Sequence, residues 1–247
     1  MKKRSWLMLA LAFGVIVSDV RAQESPSPKF SGHMFGDYYW VADDHRSDLK
    51  GRNGFWFRRI YVTLDESLAE SWAVRFRLEM NSPGDFRSSA SLTPFVKDAY
   101  LRWRGGRHEV YLGLSPTPTW DNTVEPIWGY RSVEKTPLDL QRMGSSRELG
   151  VALKGSFDAA QRFRYHLMVG NGLGTAGADV DKGKKGLLSL GWYPSPAWVL
   201  EVYADYEDRP GPTDWWTLQG FVAYRTARFR AGLLYACLLY TSPSPRD

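Results

Sequence analysis

The sequence is poor in cysteine, in long apolar runs, in charge of one sign and in catalytic motifs. Its one cysteine, Cys237, opens the last eleven residues, CLLYTSPSPRD. That peptide resembles the translation of one reading frame of a transposon-end sequencing adapter. Residues 237–247 are therefore expected not to be native, and the natural sequence to stop near Ala236. With no native cysteine there is no disulfide or thiol chemistry to argue from. The formal charge is +5, from 32 basic and 27 acidic residues. Setting aside Lys2, Lys3, Arg4, Arg21 and Arg246, and Asp19 and Asp247, leaves 27 against 25, a net of +2. That is no nucleic-acid footprint. No phosphate loop, dinucleotide fingerprint or zinc spacing is present. The four histidines (His33, His45, His108, His166) fall in no recognisable hydrolase motif. The expectation is a protein that is not an enzyme and takes no cofactor or metal.

Trp6–Val17 is the one sustained apolar run, too short for a spanning helix. Lys2, Lys3 and Arg4 precede it and Val20-Arg21-Ala22 follows, so residues 1–22 read as a secretory signal peptide. Aromatics are abundant at 15%, with eleven tryptophans, while the mean hydropathy is negative, −0.38. An exported, aromatic-rich chain of low mean hydropathy fits an outer-membrane β-barrel, whose strands are apolar on one side only.

Period-2 alternation supports that reading. Trp72, Val74, Phe76, Leu78 and Met80 alternate with Arg75, Arg77 and Glu79. Trp198, Leu200, Val202, Ala204 and Tyr206 alternate with Glu201, Tyr203 and Asp205. About eleven such segments are found: 30–41, 55–64, 72–81, 97–103, 108–114, 148–154, 162–170, 186–192, 198–206, 216–224 and 229–235. In the first, the outward face is not resolved by pattern. The connections alternate between long and short, as expected of a barrel entered from the periplasm. Aromatic residues such as Trp72, Trp103, Trp192, Trp198 and Trp216 sit near segment ends, where interfacial girdles would lie. The predicted fold is an all-β transmembrane antiparallel barrel over 23–236, about eleven strands of an expected 16 or 18. Such a piece would leave two sheet edges unpaired. The alternative is a secreted β-sandwich, a glycan-binding module using exposed Trp and Tyr.

The longest connection, 115–146, has no strand pattern. It carries Trp120, Ile127, Trp128, Tyr130, Leu138 and Leu140 among its charges, so it has apolar groups to pack with and is expected to fold into the lumen.

Three stretches resemble the phosphate-selective porin family and its relatives: Gly54–Asp65 (GFWFRRIYVTLD), Val96–Trp103 (VKDAYLRW) and Gly144–Gly155 (GSSRELGVALKG), with Asn171-Gly172 a weaker fourth. The resemblance spans the second to about the eighth strand. It implies a Gram-negative outer-membrane pore for passive diffusion of small hydrophilic or anionic solutes, a homotrimer, and a third external loop that narrows the lumen. It does not imply phosphate, because no dense arginine ladder or lysine cluster is present. By alternation, Arg59, Arg75, Arg77, Arg102, Lys154, Arg164 and Arg230 point inward, with Glu79, Asp98, Glu109, Glu201 and Asp205. The lipid side would exclude them, since Arg there costs about 2–4 kcal/mol at the midplane. Arg131, Glu134, Lys135, Asp139 and Arg142 are the candidates to line a constriction. The balance predicts a weak anion preference.

Overall fold

The computed structural model describes residues 27–87, 91–175, 181–211 and 213–240. The expected signal peptide, 1–22, lies outside them, as do residues 241–247 of the expected adapter tail.

Eleven strands form one antiparallel sheet in sequence order, each paired to its chain neighbours. They are β1 (Lys29–Trp40), β2 (Asn53–Ala69), β3 (Trp72–Met80), β4 (Phe95–Gly105), β5 (His108–Pro116), β6 (Arg147–Ser156), β7 (Phe163–Gly170), β8 (Lys185–Ser195), β9 (Trp198–Glu207), β10 (Trp215–Arg225) and β11 (Arg230–Tyr240). A single continuous sheet replaces the sandwich alternative, which needs two packed sheets. The sheet is not closed: β1 and β11 each pair on one side only. Residues 70–71, 106–107 and 196–197 make two-residue turns at one end, and 41–52, 81–94, 117–146 and 171–184 connect strands at the other. No described helix is long and apolar enough to cross a membrane.

The two faces differ as the alternation predicts. Val151, Leu167, Leu188, Val202 and Leu218 lie uncovered on the convex face. Aromatic pairs edge that face at both ends. Phe163 stacks on Trp192 at 6.1 Å and Trp198 meets Tyr224 at 5.0 Å near the tight turns. Tyr38 meets Phe55 at 5.1 Å and Tyr206 meets Trp216 at 4.5 Å at the far end. An apolar band between aromatic girdles is what lipid contact requires.

Of four register shifts in the described strands, two bear on the charged face. Phe35 faces Arg59 and Gly36 faces Phe57, so Arg58 is an extra residue in β2. Arg77 faces Asp98 and Leu78 faces Val96, so Lys97 is an extra residue in β4. A β-bulge of this kind places two successive side chains on one face. It also resolves the first strand, whose Tyr38 and Trp40 turn outward and whose Asp37 and Tyr39 turn inward.

Candidate functional site

The connection 117–146 folds back over the concave face. It contains a π-type turn over Trp120–Val124 and two single-turn helices, α1 (Glu125–Trp128) and α2 (Pro137–Leu140). Pro126 and Pro137 start the helices with a preset φ, and Gly129 ends α1 at φ +64°. Two side chains seat the loop. Trp120 is 1% exposed and meets Tyr203 edge-on at 5.8 Å. Leu138, also buried, joins the cluster of Tyr111, Ala152, Met168, Leu187 and Tyr203. Trp128, Tyr130 and Leu140 stay exposed. Arg230 lies over the Tyr130 ring and donates to the Trp128 carbonyl at 3.2 Å.

A buried polar knot fixes the loop's entry. Thr119 has φ +72°, a strained value for a β-branched residue. Its hydroxyl donates to Glu201 Oε2 at 2.5 Å and accepts from Gln219 Nε2 at 2.8 Å. Ser189 donates to the other Glu201 oxygen at 2.5 Å. Thr119 is thus held in a costly conformation by partners on β9 and β10, with Ser189 of β8 fixing the Glu201 carboxylate.

The loop leaves a charged chamber of about 690 Å³ between itself and β1–β4. All five loop candidates, Arg131, Glu134, Lys135, Asp139 and Arg142, line it, opposite Arg58, Arg59, Glu79 and Lys97. Arg59 and Lys97 each reach Glu79 at 2.9 Å. On the loop, Arg131 pairs with Asp139 at 3.2 Å and with Glu125 at 3.4 Å. Six cations and three carboxylates line this chamber. A second cavity, about 450 Å³, opens at the tight-turn end, lined by Arg104, Arg107, Lys154 and Arg164 with the single carboxylate Glu109.

The remaining wall candidates divide. Arg75 pairs with Asp65 at 2.6 Å and, with Arg102, lines a shallow cavity near the tight turns. Arg77 reaches Asp98 at 3.2 Å, and Arg147 also binds that carboxylate. Asp98, Glu201 and Asp205 turn inward but are at most 2% exposed. Their place on an open wall is corrected: the seated loop covers Glu201, Lys185 and Tyr203 hold Asp205, and two arginines enclose Asp98. Lys185 holds Asp205 at 3.6 Å.

Sequence reasoning missed Arg58, Lys97, Arg147, Glu148 and Lys185. Glu148 accepts the backbone N–H groups of Gly172 and Gly174, both at 3.1 Å. The stretches singled out in the sequence therefore meet in space. Glu79 links Arg59 to Lys97, Asp98 links to Arg147, and Glu148 links to Gly172.

Outward apolar rows, two aromatic girdles and an inward charged face make this an outer-membrane β-barrel sheet of the Gram-negative type. No family model and no curated protein matches the chain. Among solved structures it is similar to OmpTdeltaL8, a loop L8 deletion mutant of OmpT, an outer membrane protein of Vibrio cholerae. The identity is 12% and the TM-score 0.40, over 87% of this chain and 83% of that one. It is also similar to in-vitro folded OmpT from Vibrio cholerae in a trimer form, at 10% identity and TM-score 0.38, over 87% and 78%. The expectation that the chain is not an enzyme is set aside, because the lack of a recognised hydrolase motif is no ground for excluding catalysis.

Proposed function

We propose that the chain forms a diffusion pore of the outer membrane, passing small hydrophilic solutes with a weak preference for anions. The observation that carries the reading is the chamber between the seated loop and β1–β4, with six cations to three carboxylates. A charged constriction raises the local concentration of counter-ions and lowers that of co-ions. The turn-end cavity has the same sign, four cations to one carboxylate, so an anion meets a favourable potential on both sides of the loop. The ion pairs inside the chamber keep the excess small, which suits a weak preference. A homotrimer, as the sequence resemblance implies, belongs to this proposal, and crosslinking in detergent tests it.

The decisive experiment is the reversal potential of refolded protein in planar bilayers across a tenfold KCl gradient. A potential of the sign for chloride permeation supports the reading. Clear cation selectivity refutes it. Replacing Arg59, Lys97 and Arg142 together by glutamine is expected to move the potential toward cations, with the channel still open.

A further inference from the structure

Charge alone does not account for what lines the larger chamber. Lumen walls of outer-membrane barrels are ordinarily polar, yet Phe35, Trp56, Phe86 and Phe95 line this one. They are placed there by register. Phe35 lies opposite Arg59 across β1–β2, and Phe95 lies opposite Glu79 across β3–β4. Each of these rings therefore has a charged group of the chamber as its cross-strand partner. The other two pack together at the chamber rim. Trp56 and Phe86 stack at 5.0 Å, and Arg58 lies over the Trp56 ring at 5.1 Å. Phe95 keeps 36% of its surface exposed. A ring at the lumen surface costs hydrophobic stabilisation unless something apolar covers it. Small inorganic anions offer nothing for such a surface.

We infer that the chamber is a binding subsite for ring-bearing monoanions, aromatic carboxylates being the class. The carboxylate would lie among Arg59, Lys97 and Arg142, and the ring against Phe35 and Phe95. Aromatic pairs favour offset or edge-to-face contact and contribute beyond their area. A pocket that combines apolar walls with a few convergent charged groups is the usual form of a small-molecule site. This inference deepens the pore reading and names a solute class for it.

The test separates the two. Detergent-refolded protein is titrated calorimetrically with sodium benzoate, sodium acetate and benzyl alcohol, which needs no conductance. Benzoate is expected to bind at least about fivefold more tightly than acetate, and benzyl alcohol more weakly than benzoate. Phe95→Ala should bring benzoate down to the level of acetate. Phe35→Leu keeps an apolar side chain without a ring and should lose about half of the advantage on a logarithmic scale. Heat-shifted electrophoresis checks that both variants fold. In bilayers, benzoate should block the chloride current at correspondingly lower concentration than acetate. Equal binding of benzoate and acetate overturns the subsite. So does equal binding of benzyl alcohol and benzoate, or an unchanged benzoate preference in folded Phe95→Ala. Benzoate selectivity in calorimetry without any channel activity would uphold the subsite and overturn the pore.

Discussion

Trp120 is expected to decide whether the inward loop stays in. It is 1% exposed, wedged against Tyr203, and Gly144 lies against its outer ring edge. A buried tryptophan removes about 200 Å² from water. At about 25 cal/mol per Å² that is about 5 kcal/mol, an upper figure because the free loop would itself bury part of the ring. Measured Trp→Ala losses of about 3–5 kcal/mol agree. Trp120→Ala should therefore weaken docking by about 3 kcal/mol or more, above a hundredfold in the docked-to-free ratio. The strands keep their own hydrogen bonds, so the barrel sheet should survive. Trp120→Phe is the control. It keeps most of the area and removes an indole N–H that is buried without a hydrogen-bond partner among the described residues, so it should cost about 1 kcal/mol or less. The assays are tryptic cleavage at Arg131 and Lys135, and single-channel recording. Trp120→Ala should be cut faster and give a larger, noisier conductance, while Trp120→Phe stays near the parent. If alanine and parent are cut at the same rate with the same conductance, the loop is not held by this seat.

Three further outcomes follow from named contacts. Glu201→Ala removes the acceptor shared by Thr119 and Ser189, and should loosen the same loop by about 2–3 kcal/mol, read by the same cleavage. Gly113 has φ +120°, and a side chain there would press on the Ala99 carbonyl oxygen. Gly113→Val should therefore lower the yield of heat-resistant folded protein on electrophoresis, whereas Gly186→Ala, with open space around it, should not. In the turn after β6, the N–H groups of Phe163 and Arg162 donate to Asp158 at 2.8 and 3.1 Å. The Phe163 N–H foremost holds that carboxyl below its ordinary 3.8. A lowered folded value means the cap is complete above pH 3.8 and is lost as pH falls through the lower value. Amide exchange of Phe163 should show protection that Asp158→Asn makes independent of pH over that range.

Strand existence and facing were legible because lipid and lumen impose opposite polarity on successive residues. Leu188, Leu190 and Trp192 lie outward, and His166 and Asp205 inward, as alternation requires. Strict alternation failed at Arg58-Arg59 and Lys97-Asp98, where one charge of each pair had to face lipid. That cost, about 2–4 kcal/mol for an arginine at the midplane, was itself the missed signal: two adjacent charges in a membrane strand call for a bulge. Both bulges fall inside the stretches that carry the family resemblance, GFWFRRIYVTLD and VKDAYLRW. The burial of Glu201 was not legible, because period 2 gives the face of a residue and not what a distant segment lays over it. The loop's apolar residues announced that it would pack, but only the structure distinguishes Trp120 and Leu138, which do, from Trp128 and Tyr130, which do not.

The loop rests on one side of the sheet and leaves the other open. Its seat is made by β5–β10, through Tyr111, Met168, Tyr203, Glu201 and Gln219; its free edge faces β1–β4 across the charged chamber. Foundation and chamber are thus built from different parts of the chain. A substitution at Phe35, Arg59 or Phe95 can change what the chamber accepts while the loop keeps its anchorage, and such a division lets the chamber's chemistry drift under selection while its folding is untouched.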